Sequence, residues 1–268
     1  MTRDELLAEI ANRKPWYQRI EFPEFGVTTT DDEANAMLDA AWDNAVDGIS
    51  LRSAALLRPQ PKWKAIRGAL PPVAGLDVLE IGSNCGYFTF QFAAMGARSV
   101  VGLDVSPHWL SNAEWCRSVL GYSQVNFTNC DFMAFDPARP SPEGLLRDEL
   151  TEVPIPNNCY DVVFMSTVLD HLFFPLFAIY KMIRIARRYV VIDVPQFRPS
   201  DPSQSLLNLS AAPDSPHHGF TATIPFITSY IGRLGVRSSA IAVYPYNNSN
   251  SVTYVIDTSA KKDALVGA

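Results

Sequence analysis

Asp77-Val78-Leu79-Glu80-Ile81-Gly82-Ser83-Asn84-Cys85-Gly86-Tyr87-Phe88 is the stretch that decides the fold of this 268-residue chain. A short apolar run predicts a strand, a glycine-containing turn follows, and an apolar segment after it predicts a helix. Glycines in such a turn let the backbone bend sharply and let a flat ligand lie against it. Dinucleotide-binding turns usually have three glycines, whereas Asn84 takes the middle position here. The stretch therefore favours a Rossmann-like nucleoside site with no pyrophosphate to wrap.

The composition is that of a soluble globular protein, with 47% hydrophobic and 19% charged residues. The sequence shows neither an apolar run long enough to span a bilayer nor an apolar signal core after its first residues, so we expect a cytoplasmic protein without membrane contact. Its net charge of -6 makes nucleic acid an unlikely partner. A basic cluster from Lys181 to Arg188 is interpreted as a solvated helix face. We expect a monomer or a homodimer.

Cysteines and histidines give no metal signature. Cys85, Cys116, Cys130 and Cys159 are scattered without a Cys-x-x-Cys pair or histidine partners at metal spacing, so we predict no disulfide and no metal site. Cys85 in the glycine turn is best interpreted as a small buried side chain. The adjacent His217 and His218 could reach a substrate, but a third metal ligand at a sensible spacing is lacking.

From Leu76 onward, strand and helix patterns alternate, which predicts an α/β fold. We expect a Rossmann-like, mostly parallel sheet of about seven strands with flanking helices and an antiparallel C-terminal hairpin. An N-terminal helical cap over residues 1–72 precedes the main domain, 73–258, and 259–268 form a tail. The predicted strands are Val78–Ile81, Ser99–Leu103, Val125–Thr128, Tyr160–Met165, Tyr189–Val194, Ser238–Tyr244 and Val252–Asp257. The predicted helices of the main domain are Tyr87–Met95, Trp109–Gly121, Phe174–Arg187 and Ile224–Leu234.

Two segments fall outside the basic sheet pattern. The leader, residues 1–72, is predicted to be helical over residues 2–13 and 33–44, with an aromatic-rich extended piece after Pro15. Residues 195–219 are rich in Pro, Ser and Asp, so we expect an irregular loop insertion there. Both segments should lie over the carboxyl ends of the strands and form a lid. Their side chains are mostly apolar, which suits a small organic substrate.

Acidic side chains stand where the predicted strands end. In an open parallel sheet, ligands bind beyond the carboxyl ends of the strands. Asp104 ends the second strand. Its separation from Glu80 is close to the spacing of about 20 residues at which an acid binds ribose hydroxyls. Asp131 follows the third strand and can accept from an adenine amine, while Phe132 can cover the ring. An acid alone at either position could instead order a loop.

Four ordered segments resemble the signature segments of class I S-adenosylmethionine-dependent methyltransferases. They are Val78–Gly82, Val101–Asp104, Cys130–Phe132 and Tyr160–Phe164. The leader, through Trp16-Tyr17, Ile20-Glu21, Thr28–Thr30, Asn44 and Arg52, is similar to the tRNA wobble-uridine carboxymethyltransferases and their small-molecule relatives. The resemblance implies S-adenosylmethionine as cofactor, with Glu80 and Gly82 flanking the methionine amino group, Asp104 on the ribose and Asp131 on the adenine. The full predicted set of cofactor-binding residues is Glu80, Gly82, Asn84, Tyr87, Asp104, Val105, Asp131, Phe132, Ser166 and Arg52.

Methyl transfer requires mainly that nucleophile and methyl group be aligned, and a base only where the nucleophile is protonated. Asp170 and His171, after the fourth strand, are the candidate bases, although either could simply pack in the crevice or cap the next helix. Tyr17 is a further candidate catalytic residue, not as a base but because an aromatic face can stabilise a sulfonium. Trp16 and Tyr87 share this property, and all three could equally be core. Arg52 matches a carboxylate of cofactor or substrate.

The sequence therefore predicts a methyltransferase that acts on a small organic molecule in secondary metabolism. One alternative is an enzyme with non-methyl S-adenosylmethionine chemistry, such as a cyclisation that releases methylthioadenosine. A tRNA wobble-uridine modifying enzyme is the second, and the third is a binding module that has kept the fold without activity.

Overall fold

A computed structural model of the protein describes residues 1–30, 59–135, 158–196, 200–211, 218–245 and 251–259. The predicted helix at 33–44 and the tail from residue 260 lie outside these ranges. None of the described helices is long and apolar enough to cross a membrane. The described strands are β1 (Glu21–Phe22), β2 (Val27–Thr28), β3 (Asp77–Ile81), β4 (Ser99–Asp104), β5 (Val125–Asn129), β6 (Tyr160–Ser166), β7 (Ala186–Pro195), β8 (Leu207–Ala211), β9 (His218–Ala222), β10 (Ile241–Pro245) and β11 (Ser251–Asp257).

The apolar run of the glycine stretch forms β3, a central strand of a seven-stranded sheet with the order β10-β11-β7-β6-β3-β4-β5. Strands β3 to β7 pair in parallel, whereas β11 runs antiparallel to β7 and β10 antiparallel to β11. This confirms the predicted mostly parallel sheet with an antiparallel C-terminal hairpin. Strand order reverses beside β3, since β4 lies on one side of it and β6 on the other, and ligands of such sheets bind at this point.

Helices cover both faces of the sheet. Successive residues of β3 point to opposite faces, so Val78 packs in one apolar cluster and Leu79 in the other. The leader side chains Leu6, Trp16 and Phe22 belong to the cluster of Val78. The leader is therefore part of the core on one face of the sheet. The described helices are Arg3–Asn12, Pro59–Arg67, Tyr87–Ala94, Pro107–Leu120, Pro175–Ile185 and Ile224–Arg233.

The expectation that residues 195–219 contain no regular element is wrong. Within and just beyond this segment, β8 pairs antiparallel with β9, and Gln196 bridges to Ala222 beside the end of β7. The Pro, Ser and Asp residues that suggested a loop lie before and between these strands. The strands themselves have the alternating and β-prone character that favours a hairpin.

An ion-pair cluster ties the amino ends of β3 and β6, at the end of the sheet opposite the ligand side. The guanidinium of Arg187 donates to Asp77 at 2.9 Å and to Asp161 at 3.0 Å. The hydrogen bond from Arg98 is the largest of the effects that lower the pKa of Asp77, to about 2. These charges stabilise the sheet without reaching the carboxyl ends of its strands.

Candidate active site

A cavity of about 1230 Å³ opens at the carboxyl ends of the parallel strands. Pockets for a single drug-sized ligand usually measure about 300–1,000 Å³, so this one has room for a nucleoside cofactor and a small second ligand. The leader residues Tyr17 and Gln18 contribute to its wall. The predicted site residues that line the cavity are Tyr17, Gly82, Asn84, Asp104, Val105, Asp131, Phe132, Ser166, Asp170 and His171.

The glycine turn approaches the wall of the cavity so closely that a side chain has no room. Gly82 has φ +74°, and a Cβ built there would lie 2.2 Å from Cγ2 of Val168. Asn84, which replaces the expected middle glycine, has φ +50°. Asparagine enters this left-handed region more readily than most residues, so the turn forms without the extra glycine.

Asp104 anchors the glycine turn to the end of β4. Its Oδ2 accepts the backbone N–H of Asn84 and its Oδ1 accepts that of Ser106, both at 2.8 Å. Burial raises the pKa of Asp104, while these backbone donors oppose the rise. Each carboxylate oxygen keeps further lone-pair capacity toward the cavity that the residue lines. Asp104 is thus an acceptor held in place by the backbone, as a ribose-binding acid must be.

Glu80 lies beneath the cavity and does not line it. The side chain is fully buried; the Thr89 hydroxyl donates to its Oε2, and Oε1 has no hydrogen-bond partner among the described residues. Burial raises the pKa of Glu80 to about 8. A buried acid near Gly82, with an oxygen that has no partner among the described residues, is the kind of group that a bound polar ligand would satisfy.

We predict that Glu80→Gln removes a pH-dependent loss of stability. The folded pKa of about 8 lies above the ordinary value of 4.5, so the folded protein holds a proton that the unfolded chain releases in this window. The contribution of Glu80 to stability is therefore fully present below the unfolded pKa of 4.5 and is lost as pH rises through the folded pKa of about 8. As pH rises, urea unfolding should show that the free energy of unfolding falls less for Glu80→Gln than for the wild type. At about pH 9 the relative gain of the variant should be on the order of a few kcal/mol.

Glu114→Gln provides the control, because Glu114 is partly exposed and pairs with Arg117. Its pH profile should run parallel to that of the wild type. A parallel profile for Glu80→Gln as well would contradict the assignment of a proton to buried Glu80.

The turn after β5 places Asp131 and Phe132 at the cavity. Oδ1 of Asp131 accepts the backbone N–H of Met133 at 2.9 Å, and the ring of Phe132 packs largely in the core. Lys181 lies against this turn, because its Nζ donates to the carbonyls of Phe132 and Met133. The prediction of a solvated basic face is thus wrong for Lys181, whose exposed fraction is 1%.

Asp170 and His171 sit together on a short 3-10 turn after β6. Nε2 of His171 lies 3.9 Å from Oδ2 of Asp170, and both residues line the cavity. The buried side chain of Leu169 anchors the turn. Oδ1 of Asp170 is shielded from solvent and has no hydrogen-bond partner among the described residues. The two candidate bases are therefore brought to the same wall of the cavity.

A buried ion pair at the cavity floor was not predicted from the sequence. Nζ of Lys62, on the Pro59–Arg67 helix, lies 2.8 Å from Oδ2 of Asp193 and also donates to the Thr167 hydroxyl. The Ser166 hydroxyl, predicted to bind cofactor, donates to the same Asp193 oxygen at 2.8 Å. Asp193 could have been noticed as a lone acid in the apolar strand β7, whereas no sequence signal marks Lys62.

Three predicted site residues remain, and each has a different outcome. Tyr17 lines the cavity, with its ring centroid 6.0 Å from that of Trp109. Tyr87 is absent from the lining; its ring packs on Phe88, and its backbone N–H donates to Gln18 in the leader. Arg52 lies outside the described residues.

Two further expectations were that Cys85 is a small buried side chain and that the protein has no metal site. Cys85 is buried, and burial raises the pKa of its thiol to about 12, as expected of a packing residue. Within the described ranges, no group of three or more His, Cys, Asp or Glu side chains could hold a metal ion.

These residues fit S-adenosylmethionine on structural grounds. The Gly82 turn leaves no space for a Cβ, Asp104 presents an oriented carboxylate, and Glu80 keeps a buried oxygen to which no described residue donates. Gly82, Asp104 and the Asp131 turn would hold the cofactor, with Glu80 behind them.

A family model described as "methyltransferase domain" matches residues 72–205, half of the chain. Among curated proteins, the tRNA U34 carboxymethyltransferase of Methylococcus capsulatus is 30% identical over 114 residues, 42% of this chain. The corresponding enzyme of Marinobacter nauticus is 23% identical over 190 residues, 67% of this chain. The matches cover 30% and 49% of these relatives, so the chain spans less than half of their length.

Solved structures show the same fold at low sequence identity. An S-adenosylmethionine-dependent methyltransferase from Mesorhizobium loti has a TM-score of 0.54 at 14% identity, covering 73% of this chain and 97% of its own. The N-terminal domain of EvdMO1, determined with S-adenosylhomocysteine and D-fucose, has a TM-score of 0.58 at 17% identity, covering 96% of both chains. Since the half matched by the family model contains the glycine turn and both strand-end acids, the chain belongs to the methyltransferase domain family, and its cofactor is S-adenosylmethionine.

Proposed function

We propose that the protein transfers the methyl group of S-adenosylmethionine to a small organic acceptor. The charge of the described cavity lining carries this proposal. The lining contains three carboxylates, those of Asp104, Asp131 and Asp170, and only two lysines. Lys62 is paired with Asp193, and Lys181 is engaged by backbone carbonyls. Such a lining is unfavourable to a polyphosphate chain, whose binding depends on cations facing the phosphates.

The shape and polarity of the outer cavity support the same proposal. Phe173 and Phe174 have exposed fractions of 74% and 51% and line the cavity next to His171. Tyr17 and Trp109 add aromatic surface elsewhere in the lining. An apolar wall with a few polar groups is typical of small-molecule sites. The EvdMO1 domain, determined in the presence of D-fucose, is in line with a small hydroxylated acceptor.

When bound, the cofactor supplies a methyl group activated by a positive sulfur, so the chain's main task is alignment. The Gly82 turn and Asp104 hold the cofactor, and the aromatic wall holds the acceptor. Asp170, which lines the cavity, takes the proton of a hydroxyl or amine acceptor at its carboxylate. His171 beside it orients this carboxylate or carries the proton to solvent.

A panel of hydroxyl- and amine-bearing small acceptors tests the proposal. We expect at least one acceptor to raise S-adenosylhomocysteine release about tenfold or more over the rate without acceptor, with one methylated product formed per cofactor consumed. Asp170→Asn should retain cofactor binding and lose most of this turnover. Release only with tRNA, or release of methylthioadenosine in place of S-adenosylhomocysteine, would contradict the proposal.

Modification of a tRNA wobble uridine is the second candidate. The observation in its favour is that the curated relatives are named tRNA U34 carboxymethyltransferases. It predicts salt-sensitive binding of tRNA, with a log-log slope that reflects several phosphate contacts. The acidic net charge and the acidic cavity lining favour the small acceptor instead.

A further inference from the structure

Lys181 is buried where an apolar side chain would be expected. It lies on the Pro175–Ile185 helix with an exposed fraction of 1%, among buried neighbours such as Ala178 and Met182. A lysine is almost never fully buried unless it is paired, because its ammonium loses its hydration. The contacts of this ammonium therefore call for an explanation that packing alone does not provide.

The described contacts are with the turn at residues 130–135. Nζ of Lys181 donates to the carbonyl of Phe132 at 2.7 Å and to that of Met133 at 2.9 Å. It also lies 5.0 Å from the centroid of the Phe132 ring, within the range of a cation–π contact. Three interactions of one ammonium thus converge on two consecutive residues.

The same turn is fixed at its other end by the strand that carries the ribose acid. The backbone N–H of Cys130 donates to the carbonyl of Asp104 at 3.0 Å. Asp131 closes the turn internally through Met133 and Ala134. Without Lys181, the Phe132 and Met133 carbonyls would lose their ammonium donor, and the turn would be free to rearrange.

We propose that Lys181 is a positioning residue for the cofactor, whose ammonium holds the turn at residues 130–135 in the shape that the adenine end requires. This inference rests on the proposed function, because it takes the cavity beside this turn as the cofactor site. Lys181 fixes the turn before the cofactor arrives, so that binding costs less conformational entropy. Its effect is confined to the adenosine half of the cofactor, since Glu80 lies on β3 and the glycine turn is the loop that follows this strand.

Calorimetry on Lys181→Met with two ligands tests the proposal. Methionine keeps an unbranched apolar chain but has no donor. S-adenosylhomocysteine and 5′-methylthioadenosine share the adenosine half and differ in the amino-acid half. We expect both affinities to fall by the same factor, about tenfold or more. In turnover, the KM for S-adenosylmethionine should rise by about the same factor, with kcat within about twofold of the wild type.

Arg187→Met is the matched control, because Arg187 follows the same helix but pairs with Asp77 and Asp161 at the far end of the sheet. It should lower the melting temperature and leave both affinities unchanged, as a merely structural defect would. If Lys181→Met fails to fold, Lys181→Gln, which keeps donor hydrogens, should show a smaller but still equal loss for both ligands.

Unchanged affinities in the folded variant, or a much larger loss for S-adenosylhomocysteine than for methylthioadenosine, would overturn the proposal. These outcomes are separate from failure of the proposed function. A wild type that binds S-adenosylhomocysteine and methylates no small acceptor would refute only the latter, and the affinity comparison would still decide the role of Lys181.

Discussion

Asp104→Asn is expected to lower the affinity for S-adenosylhomocysteine by about 100-fold or more, and Asp104→Ala to abolish measurable binding. The carboxylate receives one backbone N–H on each oxygen, from Asn84 and from Ser106. An amide in its place must turn an NH₂ group toward one of these donors. The substitution also removes the charge that strengthens hydrogen bonds from ribose hydroxyls, which contribute about 1.5–3 kcal/mol each.

Calorimetric titration of the two variants against the wild type checks this expectation. Asp161→Asn is the control, since Asp161 is also a partly buried acid but pairs with Arg187 at the opposite end of the sheet. It should reduce stability and leave the affinity intact. An Asp104→Asn variant that remains folded and binds as tightly as the wild type would remove Asp104 from the cofactor site.

Gly82→Ala should be the most damaging conservative change in the glycine stretch. The new methyl group would meet Cγ2 of Val168 at 2.2 Å, and the residue would have to keep a φ of +74°. Overpacking costs about 1–3 kcal/mol and the left-handed backbone about 1–2 kcal/mol more, so we expect a loss of roughly 2–5 kcal/mol in the free energy of unfolding. Cofactor binding should be lost as well, because the turn and Val168 both border the cavity.

Gly75→Ala separates the two causes. Gly75 has φ +73°, but a Cβ there would meet no heavy atom within 4 Å. Urea unfolding should show only the backbone cost of about 1–2 kcal/mol, with unchanged affinity. In addition, Gly82→Ala combined with Val168→Ala should recover part of the lost stability. Equal losses for the two single glycine variants would show that the close approach to Val168 has no consequence.

The sheet could be predicted because local pattern and global fold agree in it. Each parallel strand is a short apolar run bounded by turn residues, and the acids at its end mark the ligand side. The hairpin of β8 and β9 was missed because the Pro, Ser and Asp residues around it dominate the composition of the segment. Its strands are stabilised by contacts with the end of β7 that no local pattern records.

The contributions of individual side chains were harder to predict than the strands. Tyr87 begins a helix in which most residues are buried, so periodicity could not show that its ring packs on Phe88 beside the leader. Lys62 and Lys181 were beyond prediction because a long flexible side chain reaches partners far away in sequence. A sequence pattern places the backbone of such residues on an element, and only the packed fold shows where the charge goes.

A crystal structure of the wild type with S-adenosylhomocysteine is the most direct test of the central claim, that the strand-end cavity is the cofactor site. We predict ribose hydroxyls about 2.6–3.2 Å from the carboxylate of Asp104, with the base against the turn held by Lys181 and the amino-acid end beside Gly82. Density for the ligand away from β3 and β4, or a cavity left without it at saturating ligand, would contradict the account.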